Sequence, residues 1–452
     1  MNQYVVIMPE LVTLLLGLFS FICGVLKRQS RVGYFLGILS FVTGAFILFF
    51  LFSQTRSFFE LISIDPISSL FRMLIFIVGI VVLVLSYNDN IIKTGRQAEY
   101  VFLVILAVFG MNMMVISNDL LVLYLALETF SLSSYVLAGF YRDDKKSVEA
   151  AMKYFMLGTI SSIFLLASIA FFYAISGTTS IDAFKTLDGN DVKWILSVLF
   201  LLSAFAFKLA LVPFHAWAPD VYQGSPTPIT AFFSTAPKLA VFAALLRMFL
   251  KGIEQLDVTG FVVIVSAMSI MLGNFLAMRQ TDLKRMFAYS SIAHAGYIFM
   301  AFVLIEQSLL NSVIPYLVVY LFMNIGAFAV IMSVKGGESI VSYYGIGRKS
   351  PLIAFSMTVI LLSLTGIPPT GGFIVKFNIF KNVFAAGYGG LVFLGLLMSI
   401  LSAFYYLRIV FYMYKDGLSE IQEYSSANHY IGFISAAFLL IAGIFPEILI
   451  PL

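Results

Sequence analysis

One cysteine, Cys23, and three histidines, His215, His294 and His429, are all the thiol and imidazole groups in a chain of 452 residues. A lone cysteine excludes an internal disulfide and any iron–sulfur cluster held by cysteine thiolates. Three scattered histidines offer no obvious metal or haem site. Charge is nearly as scarce, at 11% of residues against 61% hydrophobic, which excludes a water-soluble domain. No glycine-rich phosphate loop follows a strand, so no nucleotide site is read. The net charge of +4 comes from loop lysines and arginines and leaves no nucleic-acid footprint. No cofactor is expected on this chain; redox centres that work with it belong to other chains.

What is there is apolar sequence in unbroken runs of about 20 residues or more, the length of a membrane-spanning helix rather than of a barrel strand. The fold class expected is therefore all-α and polytopic, a single transmembrane domain over residues 1–452 embedded in the lipid bilayer. About fourteen spans are predicted, at 4–26, 32–54, 67–87, 98–117, 119–140, 150–176, 192–213, 226–250, 258–278, 284–305, 311–334, 351–383, 388–414 and 428–450. The first run contains Glu10 and has no small-residue cleavage site after it, so it is expected to be a retained helix. Loops are short, the longest lying near 177–191. Fifteen lysines and arginines, from Lys27 and Arg28 through Lys93 to Lys415, fall in loops after odd-numbered spans. Only Arg56, Lys185, Lys193 and Lys251 follow even-numbered ones. Positive loops stay cytoplasmic, so both termini are predicted on the non-cytoplasmic side.

Two spans are interrupted. The seventh continues past Lys208 into Pro213, Pro219, Pro226 and Pro228; the twelfth carries Pro368, Pro369, Gly371 and Gly372 before Lys376. Proline removes a backbone donor and clashes with the preceding turn, so each site should break or kink its helix. Paired broken helices in two halves suggest an inverted repeat with sites at the breaks. Spans 4–8 (residues 98–250) and 9–13 (residues 258–414) would be the repeats, five helices each and hence of opposite topology.

Ionisable groups deep in such spans are costly, about 2.5–3.5 kcal/mol at the bilayer centre on insertion scales, and they usually mark ion or proton paths. Lys208, Lys238, Lys376 and the carboxylate Glu128 are all of this kind. Burial disfavours a charge and a nearby opposite charge favours it, so a changing Glu128–Lys208 separation would make the lysine take up or release a proton. A static ion pair would look the same in sequence. Lys238 is mid-span, beyond the one or two turns a lysine can snorkel. Lys376 either lines a water-filled cavity at the break or satisfies carbonyls that the break frees. His294 suits a proton relay between Lys238 and Lys376, or cross-links helices as a neutral ring. His215 follows the first break, as relay or as cap. Lys153 lies near the entrance of the sixth span, where snorkelling competes with a proton-transfer role. Tyr135, Ser134, Ser290, Ser291, Tyr297 and Asn324 are candidates to hold waters along a path, or simply helix–helix hydrogen bonds.

The stretch KLALVPFHAWAPDVYQGSPTPITAFFSTAPKLAVF, residues 208–242, closely resembles the subunit N family of the bacterial NADH:quinone oxidoreductase, respiratory complex I. The resemblance continues through LALETFSLSSYVLAGF, VEAAMKYFMLGTISS, DLKRMFAYSSIAHAGYIFM and LSLTGIPPTGGFIVKF, over roughly residues 65–415. It implies an antiporter-like, proton-translocating membrane subunit driven by quinone reduction elsewhere in the complex. Carried over position by position, Glu128, Lys208, Lys238 and Lys376 match the family's buried glutamate and lysines. NAD, FMN, iron–sulfur clusters and quinone are implied on partner subunits, and homologous antiporter-like membrane subunits are implied as neighbours in the cell inner membrane. The alternative is a subunit of a cation/proton (Na+/H+) antiporter, or of a related hydrogenase or photosynthetic complex.

Overall fold

Backbone N–H and C=O groups find no partners in lipid, so apolar runs of this length satisfy them internally as helices. Aspartates fix where several helices begin: Asp65, Asp119, Asp144, Asp191 and Asp282 each accept a hydrogen bond from an amide of the first turn that follows. The computed structural model describes residues 3–27, 30–87, 95–253, 256–416 and 426–449. Arg28 and Lys93, counted above among the basic loop residues, lie outside these.

The chain forms two units. The first comprises Met1–Leu209 and Gly224–Asp257, the second Ala210–Gln223 and Val258–Leu452. In the first run α1 (Met8–Lys27), α2 (Ser30–Leu51), α3 (Pro66–Ser86), α4 (Gln97–Ile116), α5 (Leu120–Ala138), α6 (Lys145–Ser176), α7 (Val192–Lys208) and α9 (Thr227–Leu250), while the short α8 (Trp217–Gly224) between α7 and α9 belongs, but for its last residue, to the second. The second holds α10 (Thr259–Ala277), α11 (Leu283–Phe299), α12 (Glu306–Met332), the single turn α13 (Ile346–Lys349), α14 (Pro351–Thr365), α15 (Gly371–Ala385), α16 (Gly389–Tyr414) and α17 (Ser426–Ile444).

Among the described residues, eleven helices are long and apolar enough to cross a membrane. The other three predicted spans are the seventh, which ends as α7 at Lys208, the twelfth, which divides into α14 and α15, and the last, α17. The sixth span starts earlier than predicted because Asp144 caps it, accepting from the Lys146 amide at 3.0 Å. An antiparallel hairpin, β1 (Arg56–Phe58) with β2 (Ile62–Ile64), fills the loop between α2 and α3 and was not foreseen.

Both predicted breaks form, and they share a plan. After α7, Ala210 takes a left-handed conformation (φ 57°) and Val212–Pro213 is cis; after α14, Gly366 is left-handed (φ 89°) and Pro368–Pro369 is cis. Serine seams hold neighbouring helices where lipid offers no hydrophobic drive. Ser161 Oγ donates to the Ala204 carbonyl at 2.9 Å, and Ser197 Oγ to the Ser168 carbonyl at 2.9 Å, joining α6 to α7.

Each unit also contains the same local device. A Cβ on Gly110 of α4 would lie 2.6 Å from the Phe130 amide and 2.8 Å from the Ala126 carbonyl of α5. A Cβ on Gly273 of α10 would lie 2.7 Å from the Ala293 amide and 2.8 Å from the Tyr289 carbonyl of α11. Only a glycine lets the two backbones come so close. At the foot of these pairs the amide of Ile181 donates to the Asn118 carbonyl, and that of Ile340 to the Thr281 carbonyl.

Candidate functional site

Polar groups along apolar helices are brought together here by helical spacing. In the first unit, α5 presents Glu128 and Ser131 three residues apart, toward α6 and α7 respectively. Lys208, the last residue of α7, is buried at 3% exposure, and its Nζ donates to Ser131 Oγ at 2.8 Å. The ammonium lies 5.3 Å from the Phe130 ring centroid and 5.7 Å from that of Tyr135, within range of a cation–π attraction. Glu128 is half-buried, accepts a hydrogen bond from Ser162 of α6, and makes no ion pair with Lys208. The static ion pair allowed by the sequence is therefore absent from this conformation.

Lys238 sits at the centre of α9, a helix buried along its whole length, and is itself 3% exposed. A lysine there has no surface to snorkel to. The buried Asn112 of α4, Ser134 and Tyr135 of α5 each keep a side-chain polar atom without a hydrogen-bond partner. Buried polar atoms in that condition are uncommon and mark sites that water or a moving proton carrier can serve. Lys153 stands apart on α6, where it pairs with Glu149 at 2.6 Å and is 40% exposed at its side chain.

In the second unit Lys376 reaches back from α15 to the C-terminal end of α14. Its Nζ donates to the Leu364 carbonyl at 2.9 Å, the Thr365 carbonyl at 3.0 Å and Ser399 Oγ at 3.1 Å. Carbonyls at a helix C-terminus lack intrahelical donors and carry the negative end of the dipole, so a lysine is well placed there. The reading in which Lys376 satisfies carbonyls freed by the break thus has a geometric basis. The Tyr297 ring lies 4.9 Å from the Lys376 Nζ.

His294 is 2% exposed, and its Nδ1 shares a hydrogen bond of 2.9 Å with Tyr316 Oη. Around it stands a cluster of buried hydroxyls, of which the sequence pointed to Ser290, Ser291 and Tyr297 but not to the partnering tyrosines Tyr222, Tyr316, Tyr320, Tyr405 and Tyr406. Tyr320 donates to Ser291 at 2.9 Å, Tyr222 and Ser291 are 3.3 Å apart, Ser290 meets Tyr406, and Tyr405 donates to Asn274 at 3.0 Å. Ser290, His294 and Tyr297 lie on one face of α11, at i, i+4 and i+7, and Tyr316, Tyr320 and Asn324 share a face of α12, at i, i+4 and i+8; Tyr405 and Tyr406 of α16 are adjacent and show no such spacing. His215 is half-buried in the break segment, its Nδ1 without a partner. That segment is tied down within its unit by Val212, whose amide donates to Ser269 Oγ at 2.9 Å, and by the Asp220–Arg285 pair at 2.5 Å.

Two fully buried charges also escaped notice as a pair. Arg72 of α3 makes a two-pronged contact with Glu10 of α1, at 2.8 and 2.6 Å, with both side chains at 0% exposure.

A family model described as "NADH:quinone oxidoreductase/Mrp antiporter, TM" matches residues 117–402, more than half of the chain, a range that includes Glu128, Lys208, Lys238, His294 and Lys376. A chain from Thermodesulfovibrio yellowstonii named NADH-quinone oxidoreductase subunit N 2 is 55% identical over 450 residues, covering 100% of both chains. The chain belongs to the subunit N family. Within that family the likeness extends to the F(420)H(2) dehydrogenase subunit N of Methanosarcina mazei, 36% identical over 99% of this chain and 97% of that one. Among solved structures, a chain of respiratory complex I from Thermus thermophilus superposes with a TM-score of 0.86 at 30% identity, covering 98% of each chain. The subunit N fold is thus that of an antiporter-like membrane subunit of a multi-subunit complex.

Proposed function

We propose that the chain is a proton-translocating subunit of NADH:quinone oxidoreductase in the cell inner membrane. Quinone reduction on partner subunits, which carry the NAD, FMN, iron–sulfur and quinone sites, drives it. The observation that carries this reading is the burial of Lys208, Lys238 and Lys376, at 3, 3 and 4% exposure, in apolar helices of the bundle. Lys208 and Lys376 rest on neutral oxygens, so neither is locked to a carboxylate and each can exchange its proton. Glu128, on a face this chain does not fully enclose, is placed for a neighbouring subunit to move it relative to Lys208 and so start the transfer. His294, with its phenol partners, relays between Lys238 and Lys376; His215 and Lys153 serve, on this reading, as the outlying members. The two five-helix segments, 98–250 and 258–414, act as inverted repeats with both termini on the non-cytoplasmic side.

The test is to purify the tagged chain from its native membranes in mild detergent and reconstitute it in vesicles. NADH:quinone oxidoreductase activity that co-purifies and acidifies one side without sodium supports the proposal. Recovery only with other antiporter-like chains, and transport that requires a sodium gradient, replaces it with a cation/proton antiporter.

A further inference from the structure

The first unit contains a cavity of about 300 Å³ that none of the proton-path residues lines. It sits where α3 begins and α9 ends, with the β2 strand as one wall, and so at the level of the loops that follow even-numbered spans. Its walls divide by chemistry. Phe71, Val115, Ala243 and Leu246 form an apolar part, while Arg247, Lys185 and Lys251 supply cations.

The cations are set in place by the surrounding fold. Arg247 donates to Asp65 Oδ2 at 2.8 Å and to the Ser63 carbonyl at 2.9 Å, its side chain 9% exposed. Lys251 pairs with Asp182, which Asn118 Nδ2 also contacts at 2.7 Å. Lys185 is exposed at the rim and makes no hydrogen bond or ion pair among the described residues. Asp65 and Asp182 thus answer Arg247 and Lys251, and Lys185 is the cation left over at this cavity. Only four basic residues fall in the even-numbered loops, and two of them, Lys185 and Lys251, stand at this one cavity. Positive charge is disfavoured on the translocated side, so the one cation left over here leaves room for a further anion.

We infer that this cavity binds the phosphate headgroup of an anionic phospholipid, with the start of an acyl chain against Phe71 and Leu246. The site rests on its own geometry and is independent of the proton-transfer reading. Cations beside an apolar wall at headgroup depth fit an anionic amphiphile.

The test uses the assembled complex in vesicles with a photoactivatable phosphatidylglycerol. Crosslinking is mapped to the peptides around Phe71 and Arg247, with unlabelled phosphatidylglycerol, phosphatidylcholine and inorganic phosphate as competitors. Phosphatidylglycerol should compete well, and phosphatidylcholine and phosphate poorly. Losing one such cation weakens binding about fivefold, and losing two about 30-fold, so K185Q and the K185Q/K251Q pair should reduce labelling in that order. Should the double variant fail to assemble, K185Q alone, which breaks no contact, still decides. Labelling unchanged in K185Q, or labelling that phosphatidylcholine displaces equally, overturns the inference. Displacement by inorganic phosphate at the same concentrations overturns the lipid and leaves a free-anion site.

Discussion

An ammonium group out of water needs oxygens around it, and Lys208 and Lys376 find theirs on a serine hydroxyl and on the open end of a helix. Contacts of this kind hold the side chain without fixing its charge state, which a proton carrier requires. Glu10 and Arg72 are the contrasting case. With two prongs and no exposure, they form a pair whose charges complete one another. Removing one partner strands the other, at a cost of about 3–5 kcal/mol, whereas replacing both with apolar residues of similar volume is close to neutral. Thermal unfolding of the purified complex should therefore show Arg72→Met destabilised and Glu10→Leu/Arg72→Met largely restored. A double variant as unstable as the single one would mean that the pair does more than hold α1 to α3. The deep lysines were legible in sequence because a charge within an apolar run is conspicuous. Ser131, Ser399 and the tyrosines around His294 were not, since serine and tyrosine are ordinary inside membrane helices and only tertiary packing selects the ones that matter. The same limit hid the Glu10–Arg72 pair, whose members lie 62 residues apart.

At the scale of elements, the breaks were legible from proline and glycine, but their inner geometry was not. α14 ends because Gly366 turns left-handed, and α15 then returns so close that the amide of Gly372 donates to Ser363 Oγ at 3.0 Å. A Cβ on Gly372 would overlap the Ser363 carbonyl. Gly372→Ala should therefore push α15 off α14, pull Lys376 from its carbonyls, and lower stability by about 1–3 kcal/mol or more. Loss of assembled complex on native gels checks it, and a variant that assembles and pumps normally would show that the break is looser than this. Between α6 and α7, Asp182 clasps the loop to Lys251 and Asn118. Burial works to raise its pKa, but hydrogen bonds from Lys251 and Asn118 outweigh that and hold it below the ordinary 3.8. A carboxyl depressed on folding contributes stability above its unfolded pKa and loses it as pH falls through the lower folded value. The clasp should thus persist at neutral pH and open only in acid below about pH 4; proteolysis of the loop across a pH series reads it. Opening already near pH 6 would contradict the assignment. The β1–β2 hairpin went unread because its turn is made by Phe59 and Glu60, both left-handed (φ 47° and 61°), where a sequence reading looks for Asn and Gly.

For the molecule as a whole, an all-α chain of long apolar helices was legible from apolar run length. The division into two units falls between Asp257 and Val258, yet the first break segment, Ala210–Gln223, belongs with the second unit. Hydropathy alone offers no sign of that exchange, because it is decided by contacts such as Val212 with Ser269 and Asp220 with Arg285. On the proposed function a proton crosses through the buried lysines. Its most direct test is the ratio of protons moved to electrons passed in vesicles containing the complex with Lys238→Met. General acid–base groups contribute about 10²–10⁴-fold to the step they serve, so proton movement through this subunit should all but cease. The ratio should then fall below that of the unaltered complex, while NADH oxidation by a soluble acceptor is unchanged. An assembled Lys238→Met complex that pumps with the full ratio would contradict the account.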